Sequence, residues 1–348
     1  GSQQYNVYVG SSAGYGKSLA SGNVAVGYAA LGGTDWRDNL SSVNGDYSGL
    51  TSVGYYAGRY VANGFSTFMG TNAGERAAGS SNQFFGYYAG RGYTSAEPYN
   101  NGDNNVGIGR EALEGFRSGS YNTAIGREAL TNQRDGDSNV GIGYQALYGY
   151  QTSVNNSTNY NISIGHSSMF YHGQGDHNIA MGYLSLHHNV SGSANIAIGR
   201  DAGRYATGSN NTFIGYGTGA GGTTSAPYSS GGSNTALGYQ ALAGFTTGYN
   251  NVAIGYEAGT DITTGDDNIH IGYRAGYQQT SGTNIAIGKQ AGYAWGTATG
   301  NLAIGESALH SQTAGGRNIA IGQSALQNYT QGGNAENIAI GHSACTNF

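Results

Sequence analysis

The chain has 348 residues, of which 64 are Gly, 29 are Tyr and only 2 are Pro. Charged side chains make up 9% of the residues, the formal net charge is −5, and there is no basic cluster, which argues against nucleic-acid binding because that depends on contacts to phosphates. No apolar run approaches the ~18 residues of a membrane helix, so no membrane insertion is predicted.

One short motif repeats along the chain from its first residues to its last. Asn-Ile-Ala-Ile-Gly or a variant of it occurs nineteen times, and its closing Gly, here called the anchor, recurs every 16 or 17 residues apart from five longer intervals. Those five intervals predict inserted loops. The anchors, in chain order, are Gly10, Gly27, Gly54, Gly70, Gly86, Gly109, Gly126, Gly143, Gly165, Gly182, Gly199, Gly215, Gly238, Gly255, Gly272, Gly288, Gly305, Gly322 and Gly341.

The repeat predicts an all-β fold. Three or more Gly per repeat disfavour a helix, while the β-branched residues of the motif favour a strand. Short strands that recur at a fixed interval, and whose apolar side chains are buried only by neighbouring repeats, are typical of stacked coils. We therefore expect a parallel β-solenoid, or β-roll, of about 19 coils with 16–17 residues each, forming a single repeat domain over residues 1–348.

The columns of the aligned repeat predict which side chains face inward. The residue before the anchor is always Ile, Val, Leu, Met or Phe, and the third residue before it is mostly Val, Ile or Thr. Both lie on one face of a strand, and we expect that face to be the core. The residue between them is mostly Ala, Gly or Ser, so the outer face also lacks charge and a second chain is expected to cover it. The predicted core includes Ile198, Ile254, Ile287, Ile304 and Ile321.

A further column consists almost entirely of Asn. The residue four before the anchor is Asn in seventeen of nineteen copies, and Leu50 and Ser66 are the departures. Identical amides in stacked strands can hydrogen-bond from one coil to the next. The pattern therefore predicts an Asn ladder, whose members include Asn178, Asn195, Asn284 and Asn318.

The inserted loops are candidates for ligand binding, because long loops on a rigid scaffold often carry function. The first loop, residues 33–49, contains Trp36 and Tyr47. Two later loops share the phrase Thr-Ser-Ala-(Glu)-Pro-Tyr, which ends at Tyr99 in one loop and at Tyr228 in the other. These four aromatic residues are predicted to bind a ligand.

Tyr forms a second candidate site. It directly follows the anchor in nine coils, and Tyr239, Tyr256 and Tyr273 do so in consecutive coils. Stacked rings stabilise a sheet through aromatic contacts between strands, which is one interpretation. Aromatic rings flanked by amides and hydroxyls also suit sugars, which is the other.

No motif predicts a metal, a cofactor or catalysis. Asp follows a turn Gly at Asp103, Asp137, Asp176 and Asp266, never in neighbouring coils, which favours turn capping over a calcium site. The His residues lack metal-ligand spacing, and no pair of carboxylates suggests acid–base chemistry. A glycan-degrading β-helix enzyme is the remaining enzymatic alternative.

The units at 195–199, 284–288 and 318–322 resemble the head repeats of trimeric autotransporter adhesins, and also the Gly-rich repeats of phage and bacterial tail-fibre proteins. The resemblance covers essentially the whole chain, although the adhesin repeat is slightly shorter. It implies a left-handed, usually trimeric β-roll on an extracellular or virion-borne attachment fibre.

Together these patterns predict a non-enzymatic fibre or adhesin segment that attaches to a surface through Tyr ladders and inserted loops. The expected ligand on that surface is a glycan. Its expected partner is itself, as a trimer or a filament, and its expected location is extracellular or on a virion surface. The alternative is a structural filament whose subunits stack end to end through uncapped solenoid edges.

Overall fold

The computed structural model describes residues 5–16, 21–33, 48–61, 63–92, 101–149, 158–222, 228–312, 315–329 and 336–346. The chain divides into two compact units, Gly1–His177 and Asn178–Phe348. All regular elements in the described residues are β-strands, and each unit is a parallel β-solenoid, which confirms the predicted fold class. The prediction of one domain over residues 1–348 stays a prediction.

Each strand has three residues and ends directly before an anchor Gly. Nineteen such strands lie in the described residues, nine in the first unit and ten in the second. In the first unit they are β1 (Val7–Val9), β2 (Val24–Val26), β3 (Thr51–Val53), β4 (Thr67–Met69), β5 (Gln83–Phe85), β6 (Val106–Ile108), β7 (Thr123–Ile125), β8 (Val140–Ile142) and β9 (Ile162–Ile164). In the second unit they are β10 (Ile179–Met181), β11 (Ile196–Ile198), β12 (Thr212–Ile214), β13 (Thr235–Leu237), β14 (Val252–Ile254), β15 (Ile269–Ile271), β16 (Ile285–Ile287), β17 (Leu302–Ile304), β18 (Ile319–Ile321) and β19 (Ile338–Ile340).

Successive strands within a unit pair in parallel and in register. Ile254 of β14, for example, aligns with Leu237 of β13 and with Ile271 of β15. Because every coil returns to the same point after one repeat, the columns of the sequence become columns of stacked side chains. Inserted loops leave this register unchanged, since β12 and β13 still pair residue for residue across a longer interval.

The anchor must be Gly for two reasons. Gly199 has a φ of +131°, a conformation that side chains disfavour. A Cβ atom at this position would also collide with the backbone oxygen of Gly215, the anchor of the next coil. The close stacking of the coils therefore depends on the missing side chain.

The interior of each coil is lined by the middle residue of the strand, not by the residues on either side of it. Ala197 and Ala286 are completely buried. By contrast, Ile198 is 37% exposed. The prediction that the Ile column before the anchor forms the core is wrong, because these side chains lie on the outer face of the strand and are only partly buried. The residues concerned are Ile198, Ile254, Ile287, Ile304 and Ile321.

Steric fit inside the coil explains why the small middle residue, and not the Ile before the anchor, faces inward. The middle strand residue faces the residue four after the anchor, and the space holds one large side chain between them. Phe84 is accommodated because Gly90 stands opposite, where a Cβ would collide with the ring. Where the strand carries Ala124, the opposite residue is Leu130, and both are completely buried. A branched side chain on both sides would overfill this interior.

The predicted Asn ladder is present in both units. The backbone N–H of Asn195 donates to the side-chain oxygen of Asn178 at 3.0 Å. The same bond links Asn284 to Asn268 at 2.7 Å and Asn318 to Asn301 at 3.1 Å. These Asn side chains are buried, and their amides also donate to turn carbonyls, as Asn178 does to Gly192 at 2.9 Å. The ladder thus satisfies polar backbone groups in the interior.

Candidate functional site

Four stacked Tyr rings lie on the outside of the second unit. Tyr216, Tyr239, Tyr256 and Tyr273 follow the anchors of four consecutive coils. Their ring centroids are 5.3, 4.9 and 5.3 Å apart, and neighbouring rings lie within 15° of parallel. The faces of the rings contact each other, as the stabilising interpretation predicts. Only ring edges, hydroxyls and the two terminal faces are left for a ligand.

The edges and hydroxyls of this four-Tyr stack face solvent. The four residues are between 39% and 44% exposed. No hydrogen bond within the described part of the chain engages the hydroxyls of Tyr216, Tyr239 and Tyr273. Partial burial and the Glu257 carboxylate raise the pKa of Tyr256, so its hydroxyl keeps its proton at neutral pH. The stack therefore presents a row of hydroxyls to solvent.

Charged residues bound the four-Tyr stack at both ends. Arg200 occupies the same column one coil earlier, and its guanidinium lies 5.6 Å from the ring centroid of Tyr216. Lys289 occupies the column one coil after Tyr273 and pairs with Glu306 at 2.9 Å. The uncharged row is thus four coils long.

A polar column runs beside Tyr239, Tyr256 and Tyr273, formed by the second residue after the anchor; in the coil of Tyr216 this residue is Gly217. Gln240 and Glu257 belong to it, and Arg274 donates from Nε to the Glu257 carboxylate at 2.6 Å. The same guanidinium lies 5.3 Å from the ring centroid of Tyr273. Because the carboxylate and the guanidinium neutralise each other, this edge of the stack has hydrogen-bonding groups but little net charge.

The first unit has only short pieces of the same Tyr column. Tyr28 and Tyr55 stack at 5.4 Å, and Tyr87 is followed by Arg110 and Arg127 in the next two coils. Each of these Arg residues forms an ion pair with its neighbouring Glu at 2.9 and 2.8 Å respectively. A continuous uncharged Tyr row therefore occurs in the second unit.

The structure places the predicted ligand residues in two different locations. Tyr239, Tyr256 and Tyr273 belong to the four-Tyr stack, whereas Tyr228 packs against His188 at 4.8 Å and stacks with Tyr205 at 6.1 Å. Burial, with help from the Arg204 charge, lowers the pKa of His188, so this cluster is uncharged at its centre near neutral pH. The other predicted residues lie outside the described ranges: Trp36, Tyr47 and Tyr99.

The turn Asp residues act as caps. Asp137 accepts the backbone N–H of Ser120 at 2.7 Å, and Asp266 accepts that of Tyr249 at 2.7 Å. Each carboxylate thereby closes the turn of the preceding coil, as the turn-capping interpretation predicts. Among the described residues, no group of three His, Cys, Asp or Glu side chains is placed to hold a metal ion.

Sequence reasoning missed a buried polar cluster in the second unit. His270 replaces the usual Ala in β15, and its ring fills the space that Gly276 leaves opposite. The Trp295 ring lies 6.1 Å away, and Nε1 of Trp295 has no hydrogen-bond partner in the described residues. Burial lowers the pKa of His270 to about 4, so the ring is neutral. The departure of His270 from its column was the available signal.

Comparison with known proteins returned no matching family model, no matching curated protein and no matching solved structure. In the described residues no helix is long and apolar enough to cross a membrane.

Proposed function

We propose that this chain is a non-enzymatic subunit of a homo-oligomeric attachment fibre, located outside the cell or on a virion surface. Copies associate through the outer face of their strands, and the four-Tyr stack contacts the surface to be bound, a glycan. The observation that carries the proposal is the outward orientation of the apolar residue before each anchor, beside a second column that is uncharged in every strand.

This outer face has the composition of an interface. In all nineteen strands the first and third residues are uncharged, and the third is always apolar. Ile198 and Leu237 are 37% and 44% exposed although neither lies in a terminal strand of its unit. A contiguous row of partly exposed apolar side chains is typical of a contact site in soluble proteins.

A second copy of this chain is the partner that fits the face. Its apolar rows have the same spacing from coil to coil, so side chains of two copies interdigitate along the whole contact, and the contact can close into a symmetric oligomer. Burying the exposed part of one such side chain is worth about 0.5–1 kcal/mol. Summed over the second unit this gives about 10 kcal/mol, which offsets an association cost of about 4–15 kcal/mol.

Sedimentation velocity on the purified chain tests the association. We expect an oligomer for the unmodified chain and a folded monomer for Ile254→Lys, because the new charge would be buried in the contact. Thr264→Lys, an exposed position away from the outer face, is the matched control and should remain oligomeric. A monomeric unmodified chain would refute the proposal, and long polymers that persist in Ile254→Lys would favour the end-to-end filament.

Binding of the oligomer to an array of polysaccharides tests attachment. We expect at least one neutral polysaccharide to retain the unmodified chain. If no glycan on the array binds although the protein is still oligomeric, the Tyr surface serves only to stabilise the fold.

A further inference from the structure

We infer that the four-Tyr stack binds an extended, neutral, equatorially 1,4-linked polysaccharide, with the polymer parallel to the stack and one sugar per coil. The inference rests on the proposed attachment function and names the ligand class of that site.

The spacing of the stack selects among linear polymers. Its hydroxyls repeat with the ring centroids, which are 5.3, 4.9 and 5.3 Å apart. An extended peptide strand advances about 3.3 Å per residue and about 6.7 Å between side chains on one face. A nucleic-acid strand of B-form DNA advances about 3.4 Å per nucleotide. Neither polymer stays in register with four consecutive coils.

An extended sugar chain has the required repeat. With both linkages equatorial, each residue advances the chain by one six-membered ring and one bridging oxygen, which is close to the separation of two stacked coils. An axial linkage makes the sugar chain coil, so that its repeat no longer matches the separation of the stacked coils of the protein. Each sugar in the extended chain therefore meets one Tyr, and in the coils of Tyr239, Tyr256 and Tyr273 it also meets one residue of the neighbouring polar column.

The chemistry of the site agrees with a neutral ligand. The hydroxyls of Tyr216, Tyr239 and Tyr273 have no hydrogen-bond partner in the described chain and are free to donate to sugar oxygens. On the polar side, Gln240 adds an amide, and Arg274, which is paired with the buried Glu257 carboxylate, adds donors without net charge. The cations at the ends of the row, Arg200 and Lys289, are each paired with a carboxylate, so charge does not favour a polyanion.

The faces of the Tyr rings are not the contact, and this distinguishes the site from one in which sugars stack on a single aromatic platform. Neighbouring rings cover each other's faces at about 5 Å. Recognition must then come from the row of hydroxyls and ring edges. Removing a hydroxyl while keeping the ring should therefore weaken binding without disturbing the stack.

Isothermal titration with oligosaccharides of two to six residues tests this inference on the full chain. The ligands are the β-1,4-linked glucose and N-acetylglucosamine series, and the control is the α-1,4-linked glucose series, whose axial linkage makes the chain coil. We expect the affinity for one β-1,4 series to rise with each sugar up to about four residues and then to level off, because the uncharged row spans four coils. The α-1,4 series should bind at least about tenfold more weakly.

Tyr239→Phe should reduce the affinity for the tetrasaccharide about three- to tenfold, in line with the loss of one hydrogen bond. Tyr293→Phe removes a hydroxyl from a separate stack with Tyr277 and should leave binding unchanged. Affinity that is independent of length, equal binding of the α-1,4 series, or no effect of Tyr239→Phe would overturn the inference. If no polysaccharide binds in the array either, the attachment function itself fails.

Discussion

The packing inside the coil predicts a strong energetic coupling between Phe84 and Gly90. Phe84 is completely buried, and it contacts the ring of Phe68 at 5.8 Å and that of Phe116 at 5.7 Å. Truncation in Phe84→Ala leaves a cavity and should cost about 3–5 kcal/mol of unfolding free energy. Gly90→Leu alone inserts a side chain into the space of the ring and should cost about 1–3 kcal/mol.

The double variant should be more stable than the sum of its parts. It recreates the combination that Ala124 and Leu130 already form elsewhere in the first unit. The backbone also tolerates Leu there, because Gly90 has a φ of +61° and Leu130 a φ of +53°. We expect a favourable coupling of about 2–3 kcal/mol, measured by urea unfolding of the four proteins in a double-mutant cycle. Strictly additive costs would show that the two positions do not share one space, which would refute this account of the core.

Three further predictions concern the second unit. The pKa of His270 is about 4 in the folded chain and 6.5 when the ring is exposed, so the unfolded chain binds more protons between pH 4 and pH 6.5. Protonation therefore favours the unfolded chain, and the unfolding free energy should fall by up to about 3 kcal/mol when the pH is lowered from 6.5 to 4. His270→Ala/Gly276→Leu should remove this fall in urea unfolding; an unchanged pH profile would exclude His270 as its source. Asn251→Ala should lower the unfolding free energy by about 3 kcal/mol, and Asn251→Ser should lower it less because the Ser hydroxyl keeps one hydrogen bond of the ladder. Equal melting temperatures of the two variants and the unmodified chain would contradict the role of the ladder. Gly255→Ala should abolish the cooperative thermal transition, since its Cβ would strike the next anchor; a wild-type transition would disprove this constraint.

The repeat pattern was sufficient to predict the strands, their register and the Asn ladder. These features depend on residues that recur at one position, and stacking brings equal positions together. The predicted inward face is wrong because the large apolar side chains of the motif, such as Ile254, lie on the outer face and the small middle residue lies inside. The sequence does contain the missing signal. Phe occurs in the middle of a strand only where Gly stands four after the anchor, as at Phe213 and Gly219, and small strand residues commonly face Leu there.

The candidate site was predicted in part. Tyr239, Tyr256 and Tyr273 share a column, so their proximity followed from the repeat. The parallel stacking of their rings did not, because ring orientation depends on side-chain packing between coils. The distinction matters for function, since stacked rings offer hydroxyls and edges where isolated rings would offer faces. The contact of Tyr228 with His188 joins different coils across an inserted loop, and no local pattern marks it.

An electron cryo-microscopy reconstruction of the purified full chain would show which face the copies use to associate. We predict a symmetric oligomer in which the outward columns that include Ile254 and Ile287 are buried between copies, while the hydroxyls of Tyr239 and Tyr256 reach solvent. Single copies whose Ile columns lie in water, or copies joined through the Tyr column, would contradict it.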